Sequence, residues 1–239
     1  MKSTLTLILG CLAVVGLARA QNGADAAEVQ VPLVEGKPYV HVIHDGRSIK
    51  VQRIEDPEFE LTGYYAKTAR KCPPFCLHPM AAAPGVQTVG EVEIFEFMET
   101  KLRDGSGVLI DSRTDDWYKK GTIPGSDHIA FDSLALDPSN PKWTGILKGL
   151  GAKPRAPDGV VDQALGALGM AGDSLKTDKW DFTDAKDLVL FCNGPACDQS
   201  PRAIRSLLSV GYPTTKLFYY RGGMQMWQMW GLTTVVPEK

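Results

Sequence analysis

Residues 188–191, Leu-Val-Leu-Phe, form a short apolar run that stops at Cys192 and opens into Cys192-Asn193-Gly194-Pro195-Ala196-Cys197-Asp198-Gln199-Ser200, with a helix expected from Pro201. Such a continuous run between turn signals reads as a buried strand, and a strand followed at once by a helix is the unit of a parallel sheet with helices on its faces. The Gly194-Pro195 pair bends the chain, and the free backbone N–H groups at the start of the helix point back towards the loop. Cys192 is therefore held at a strand end, facing converging amides and the positive end of a helix dipole. Both favour the thiolate, which is the nucleophilic form. A cysteine at a strand end is usually a small buried apolar residue. The loop sets Cys192 apart as the candidate nucleophile.

The rest of the chain alternates in the same manner. Residues 39–44 and 47–54 flank Asp45-Gly46 and give a hairpin signal. A segment with Gly63-Tyr64-Tyr65 and the Pro-rich Cys72-Pro73-Pro74-Phe75-Cys76 follows, and Ala81 to Gly85 reads as a connector with a boundary near Pro84. Beyond it, Thr88 with Glu91 predicts a capping box, and Ile94, Phe95, Met98 and Leu102 share one helical stripe that ends before Gly105. Val108-Leu109-Ile110 is a short buried strand ending at Asp111. The stretch from Asp132 to about Asp187 is rich in Gly, Pro and Asp, with a weak helix around residues 160–168 and no evident role. In the helix after the loop, Ala203, Ile204, Leu207 and Leu208 face inward and Gly211 stops it. Leu217 to Tyr220 is another strand, and Gly222-Gly223 leads into a final helix rich in Met and Trp. The expected organisation is a leader at 1–20, a β-rich extension at 21–84 and an α/β domain at 85–239.

The leader is expected because Lys2 precedes an apolar stretch from Leu5 to Leu17 and then Ala18-Arg19-Ala20, the pattern of a secretory signal cleaved after Ala20. A lipoprotein-type site at Leu9-Gly10-Cys11 leaves an apolar segment of only about eight residues, near the lower limit. Residues 21–31 are polar, Ala-rich and without period, and are expected to be mobile. The expected mature chain is periplasmic or secreted, with no later stretch apolar enough to span a membrane. Losing Lys2 and Arg19 takes the net charge from −2 to −4. A mildly acidic chain without a basic stripe argues against nucleic acid or anionic membrane as partner.

The Cys192 loop and three motifs around it resemble the rhodanese family of sulfurtransferases, in its single-domain exported form. Val108-Leu109-Ile110-Asp111-Ser112-Arg113 is similar to the family's first strand motif, Ile123-Pro124-Gly125-Ser126 to its "IPGA" turn, and Arg221-Gly222-Gly223 to Trp227 with Gly231-Leu232 to its closing signature. The resemblance covers roughly residues 88–235. It implies an α/β fold whose loop cysteine takes sulfane sulfur from thiosulfate or a related donor and passes it to cyanide or a thiol, a covalent reaction in two steps that needs no metal or other cofactor. The implied partners are a small sulfur compound or a thiol acceptor protein. N–H groups of Asn193, Gly194, Pro195's neighbour Ala196, Cys197, Asp198 and Gln199 are expected to hold the persulfide and the departing anion. Asp111 and Arg113 are expected to order the loop rather than touch substrate.

Three departures qualify the likeness. Thr122 stands where a His often precedes the turn, and the position is read as one that supports packing. The loop carries Asp198 where many relatives carry a cation, the nearest cations in sequence being Arg202 and Arg205. Cys197 is a second loop thiol, either without a role of its own or able to resolve a Cys192 persulfide into a disulfide. Phosphatase or arsenate chemistry on the same fold requires Arg at the end of a C-x5-R loop, and Asp198 occupies that place. The other competing class is a non-catalytic sulfur carrier or redox partner-binding module that uses the hairpin and Cys72/Cys76 as its surface. For that cysteine pair a structural disulfide, a redox or relay pair and a metal site all remain open, although zinc lacks a local fourth ligand and the C-x3-C spacing disfavours haem. Met224, Met226 and Met229 with Trp227 and Trp230 read as core packing rather than a copper site.

Overall fold

The computed structural model describes residues 31–135, 140–155, 177 and 179–238. The expected leader, the segment after it up to residue 30 and the weak helix at 160–168 lie outside the described residues. In chain order the elements are a hairpin of β1 (Tyr39–His44) and β2 (Arg47–Gln52), β3 (Gln87–Val89), α1 (Glu91–Glu99), α2 (Lys101–Asp104), β4 (Gly107–Asp111), α3 (Asp115–Tyr118), β5 (Ser126–His128) and α4 (Pro141–Gly149). The short antiparallel pair β6 (Lys153–Pro154) and β7 (Trp180–Asp181) follows, then β8 (Asp187–Phe191), α5 (Gln199–Ser209), β9 (Leu217–Tyr220) and α6 (Gly223–Met229).

Five strands form one parallel sheet in the order β3-β9-β8-β4-β5, so the strand leading to Cys192 is central. Successive side chains of a strand point to opposite faces, and here both faces are apolar. Val108, Ile110, Leu188, Leu190 and Leu217 meet Ile204 and Leu207 of α5 with Trp143 and Leu147 of α4. Leu109, Val189, Phe191 and Tyr220 meet Ile94, Phe95 and Met98 of α1 with Met224 and Trp227 of α6. Each fully buried Leu, Val or Phe contributes about 1.5–3 kcal/mol, and Leu188 to Phe191 are all buried. That holds the end of β8, and hence Cys192, in one place.

The hairpin turns at Asp45-Gly46 as the sequence predicts, and its Val40, Val42 and Val51 enter the same core as α1 and α6. The chain after β2 joins the C-terminal segment: Ile54 N–H donates to Gly231 O at 2.8 Å and Thr233 N–H to Gln52 O at 3.0 Å. The extension thus covers one face of the sheet.

Several local expectations change. Thr88 lies in β3 and its hydroxyl donates to Met80 O; the cap of α1 is formed two residues later, where Glu93 Oε2 accepts from Gly90 N–H at 2.8 Å. The stripe from Ile94 to Leu102 is broken at Thr100, whose hydroxyl bonds back to Glu96 O at 2.7 Å, a competition with the helix ladder open to Thr side chains. Leu208 is only partly buried. Of the Met and Trp residues near the C-terminus, Met224 and Trp227 are core, whereas Met229 and Trp230 are exposed. The unassigned stretch after Asp132 supplies α4, whose Trp143 and Leu147 fill the core. Among the described residues no helix is long and apolar enough to cross a membrane.

Candidate functional site

β4 leads on to β5 at one edge and β8 leads on to β9 on the other side, so the sheet order reverses between β4 and β8. In open α/β sheets the crevice beyond the strand ends at such a point is where ligands bind. Asp111 pairs in register with Phe191, and Ser112 N–H donates to Phe191 O at 2.9 Å, which sets Asp111-Ser112-Arg113 beside Cys192.

Cys192 is a free thiol, 2 % exposed. As a thiol it donates to Cys197 O at 3.4 Å, and its sulfur accepts from the Ser200 hydroxyl at 3.1 Å. Burial pushes the thiol pKa up, but hydrogen bonds from the Cys197 and Ser200 side chains and from the Ser200 and Gly194 amides outweigh it and bring it down to about 7. Cys197 moves the opposite way: its hydrogen bond with Cys192, then burial, then the Cys192 charge hold its proton on. The thiolate of the pair therefore belongs to Cys192.

Two glycines let the closing helix approach this loop. A Cβ on Gly223, at φ +52°, would lie 2.3 Å from Cys192 O, and one on Gly194, at φ +144°, would lie 2.9 Å from Gln225 Cβ. With both absent, Met224 N–H donates to Cys192 O and Gln225 N–H to Asn193 O, each at 3.0 Å. The Arg-Gly-Gly motif thereby pins the first turn of the loop.

Asp111 and Arg113 are buried and paired, Nη2 to Oδ2 at 2.6 Å. Thr122, beyond its packing role, donates its hydroxyl to Asp111 Oδ2 at 2.7 Å. Arg113 Nη1 donates to Tyr65 OH at 3.1 Å, and Tyr65 OH donates to Asn193 Oδ1 at 2.7 Å. Burial pushes the Tyr65 phenol up to about 12, so it keeps the proton it donates. The ion pair thus reaches the loop through a tyrosine of the extension. A second tie runs from His78 N–H to Pro195 O at 3.0 Å, and Arg221 Nη2 holds His78 O at 2.9 Å.

Above the loop is a cavity of about 240 Å³ lined by Tyr64, Arg70, Pro74, Phe75, Trp117, Asn193, Gly194, Ala196, Cys197, Asp198, Gln199 and Gln225. Cys192 lies beneath this floor, with Cys197 of the same loop facing the cavity. Cys72 and Cys76 form a disulfide, with Cα atoms 4.7 Å apart, so neither thiol is free to ligate a metal, and the Pro74-Phe75 turn that they close is part of the wall. Among the described residues no group of three or more His, Cys, Asp or Glu is arranged to hold a metal ion.

The structure brings together Cys192, Asn193, Gly194, Ala196, Cys197, Asp198 and Gln199, with Asp111 and Arg113 acting through Tyr65. Pro195 offers its carbonyl to the extension instead of lining the cavity. Arg202 is also outside it, 4.0 Å from Asp198 and stacked 4.6 Å from the Phe131 ring. The amides that serve Cys192 are those of Gly194 and Ser200 rather than the whole run to Gln199. Ser200, Tyr65, Arg70 and Trp117 are absent from the sequence expectation. Ser200 had a signal, since the first turn of the helix after the loop faces its cysteine; the others belong to contacts that no local pattern encodes.

The family profile of the rhodanese-like domain matches residues 96–229. No curated protein matches the sequence. Among solved structures, the human single-domain sulfurtransferase TSTD1 is 24 % identical over 60 % of this chain and 96 % of its own, with a TM-score of 0.35. The single-domain sulfurtransferase RDL2 of Saccharomyces cerevisiae is 13 % identical over 60 % and 89 %, with a TM-score of 0.35. A Rhodopseudomonas palustris protein described as a possible tyrosine phosphatase is 18 % identical over 62 % and 83 %, with a TM-score of 0.39.

Proposed function

The chain belongs to the rhodanese-like family, whose chemistry is sulfur transfer, and on that premise we propose that it moves sulfane sulfur from thiosulfate or a related donor to a thiophilic acceptor through a persulfide on Cys192. The observation that carries this reading is the Cys192 thiol, held by Ser200 and two amides and brought down to about 7, so that about half is thiolate near neutral pH. The donor enters the cavity and passes Cys197 to reach the sulfur below. The thiolate attacks the outer sulfur of the donor, the sulfur–sulfur bond breaks, and its electron pair leaves with sulfite. The persulfide then keeps the hydrogen bonds from Ser200 and the Gly194 amide that the thiolate had. In the second step cyanide or an acceptor thiol attacks the outer sulfur and restores the thiolate.

The proposed place is the periplasm or the exterior, supported by the apolar leader and by the Cys72–Cys76 disulfide, since such bonds persist in oxidising compartments. Intact mass spectrometry tests the mechanism. After thiosulfate the protein should carry one extra sulfur atom and lose it to cyanide, and Cys192→Ser should stay folded but take up none. Sulfur transfer at the wild-type rate by the Ser variant sinks the assignment. Loading without turnover to cyanide or small thiols would instead make the protein a sulfur carrier for a partner.

A further inference from the structure

The cavity contains a charge that the mechanism above does not use. Arg70 comes from the extension, before the family-matched residues. Its Nη2 donates to Tyr64 O, and its guanidinium lies 3.8 Å from the Tyr64 ring centre and 5.3 Å from that of Phe75. Its Nε is buried and has no hydrogen-bond partner. Among the described residues no carboxylate pairs with it. A guanidinium clamped by a carbonyl and two rings, and set in the cavity wall with no carboxylate beside it, is a fork for an oxyanion. The loop 193–199 itself has no Lys or Arg, and Asp198 on the far side adds the wrong sign for an anion.

The rest of the wall adds a second property. Tyr64 packs on Trp117 with ring centres 4.2 Å apart, and Phe75 is 36 % exposed beside them. At about 240 Å³ the cavity takes several groups of the size of water, ~30 Å³ each, more than bare thiosulfate fills. Resting on the sulfur-transfer reading, we propose that Arg70 is the anion-binding residue of the donor site, holding the sulfonate-type head of thiosulfate or of an organic thiosulfonate over the loop, with Tyr64, Phe75 and Trp117 flanking an organic substituent. With a thiosulfonate the same displacement occurs: the Cys192 thiolate takes the outer sulfur, the sulfur–sulfur bond breaks, and a sulfinate leaves with the electron pair. The extension then sets which donors the domain accepts.

Binding is measured without turnover, by calorimetry of thiosulfate and of benzenethiosulfonate on the full-length Cys192→Ser chain. Arg70→Met in that background should weaken both ligands about ten- to hundredfold, the loss of a charge-assisted hydrogen bond. Phe75→Ala should weaken benzenethiosulfonate several-fold more than it weakens thiosulfate. In the enzyme with Cys192 intact, Arg70→Met should raise KM for the donor with little change in kcat and none in the cyanide step. If Arg70→Met fails to fold, Arg70→Lys keeps the charge but loses the fork and should still weaken both ligands, with Tm retained. Equal affinities with and without Arg70, or no binding to the Cys192→Ser chain, overturn the proposal. Failure of the wild-type protein to take up sulfur sinks the sulfur-transfer reading while the binding measurement still decides the role of Arg70.

Discussion

Ser200→Ala removes one hydroxyl, 3.1 Å from the Cys192 sulfur, and leaves the loop backbone in place. A hydrogen bond to a charged group contributes about 1.5–3 kcal/mol, which at about 1.4 kcal/mol per unit is about one to two pKa units. The thiol should therefore rise from about 7 towards its ordinary value of 9.0. Near pH 7 the thiolate fraction falls from about a half to about a tenth or less, so kcat/KM for the donor should fall about five- to fiftyfold there and recover in alkali. Thiolate ultraviolet absorbance against pH, in a Cys197→Ser background so that one loop thiol titrates, reads the shift directly. Stability gives a second reading. A folded pKa of about 7 against 9.0 unfolded means that the unfolded chain binds more protons between these values, so stability rises with pH across this window and is lost as pH falls through 7. The wild-type gain from pH 7 to 9 should be about 2 kcal/mol by urea denaturation, smaller in Ser200→Ala and absent in Cys192→Ser. The Cys197 proton is held beyond its ordinary range in the folded chain, so its unfolded titration near 9.0 takes back a little of this gain at the upper end of the window. An unchanged apparent pKa in Ser200→Ala, or a loss of kcat/KM that persists in alkali, would show that Ser200 positions the loop and does not stabilise the thiolate.

Gly223→Ala should cost about 2–4 kcal/mol in stability, because the new methyl meets Cys192 O at 2.3 Å on a left-handed backbone; wild-type Tm together with wild-type activity would contradict the close approach. Asp198→Arg should lower KM for thiosulfate several-fold by replacing a like charge in the cavity wall with an opposite one, and an equal or higher KM would place the Asp198 carboxylate out of reach of the donor. Changing Cys72 and Cys76 together to Ser should lower Tm by the loss of about 2 kcal/mol and raise donor KM while sparing kcat, because the disulfide holds Pro74 and Phe75 in the wall. Kinetics of the double variant check this, and a fall in kcat as deep as that of Cys192→Ser would join both cysteine pairs in one relay.

What the sequence disclosed follows from how local its causes are. The hairpin at Asp45-Gly46 and the strands at 107–111, 187–191 and 217–220 are written in period and turn residues, and their positions agree with the observed elements. Cys192 stood out for the same reason, as the end of an apolar run. The cap of α1 was displaced because Glu91 and Glu93 both suit the first turn, and only the path of β3 chooses between them. Tyr65 was silent because its partner Asn193 lies 128 residues away, and Arg70 because only the fold brings the loop 193–199 to the same cavity. Arg202, nearest in sequence to the loop, turned outward to Asp198 and Phe131. Proximity along the chain was a poor guide to which cation faces the cavity.

The union of the hairpin with the C-terminal segment fixes an order of events. The bond from Gln52 N–H to the Thr233 hydroxyl, 3.0 Å long, joins positions 181 residues apart, and the bond from Tyr65 to Asn193 joins positions 128 apart. Loops of that length close slowly, since their entropy is lost before the contact is gained. A growing chain makes the hairpin early, α1 then gives Val40, Val42 and Val51 their first cover, and Trp227 and Leu232 complete that core last. Chains stopped short of α6 would therefore leave this core incomplete, and the cavity, whose walls come from residues 64–75 and 193–199, would close only when synthesis is nearly complete.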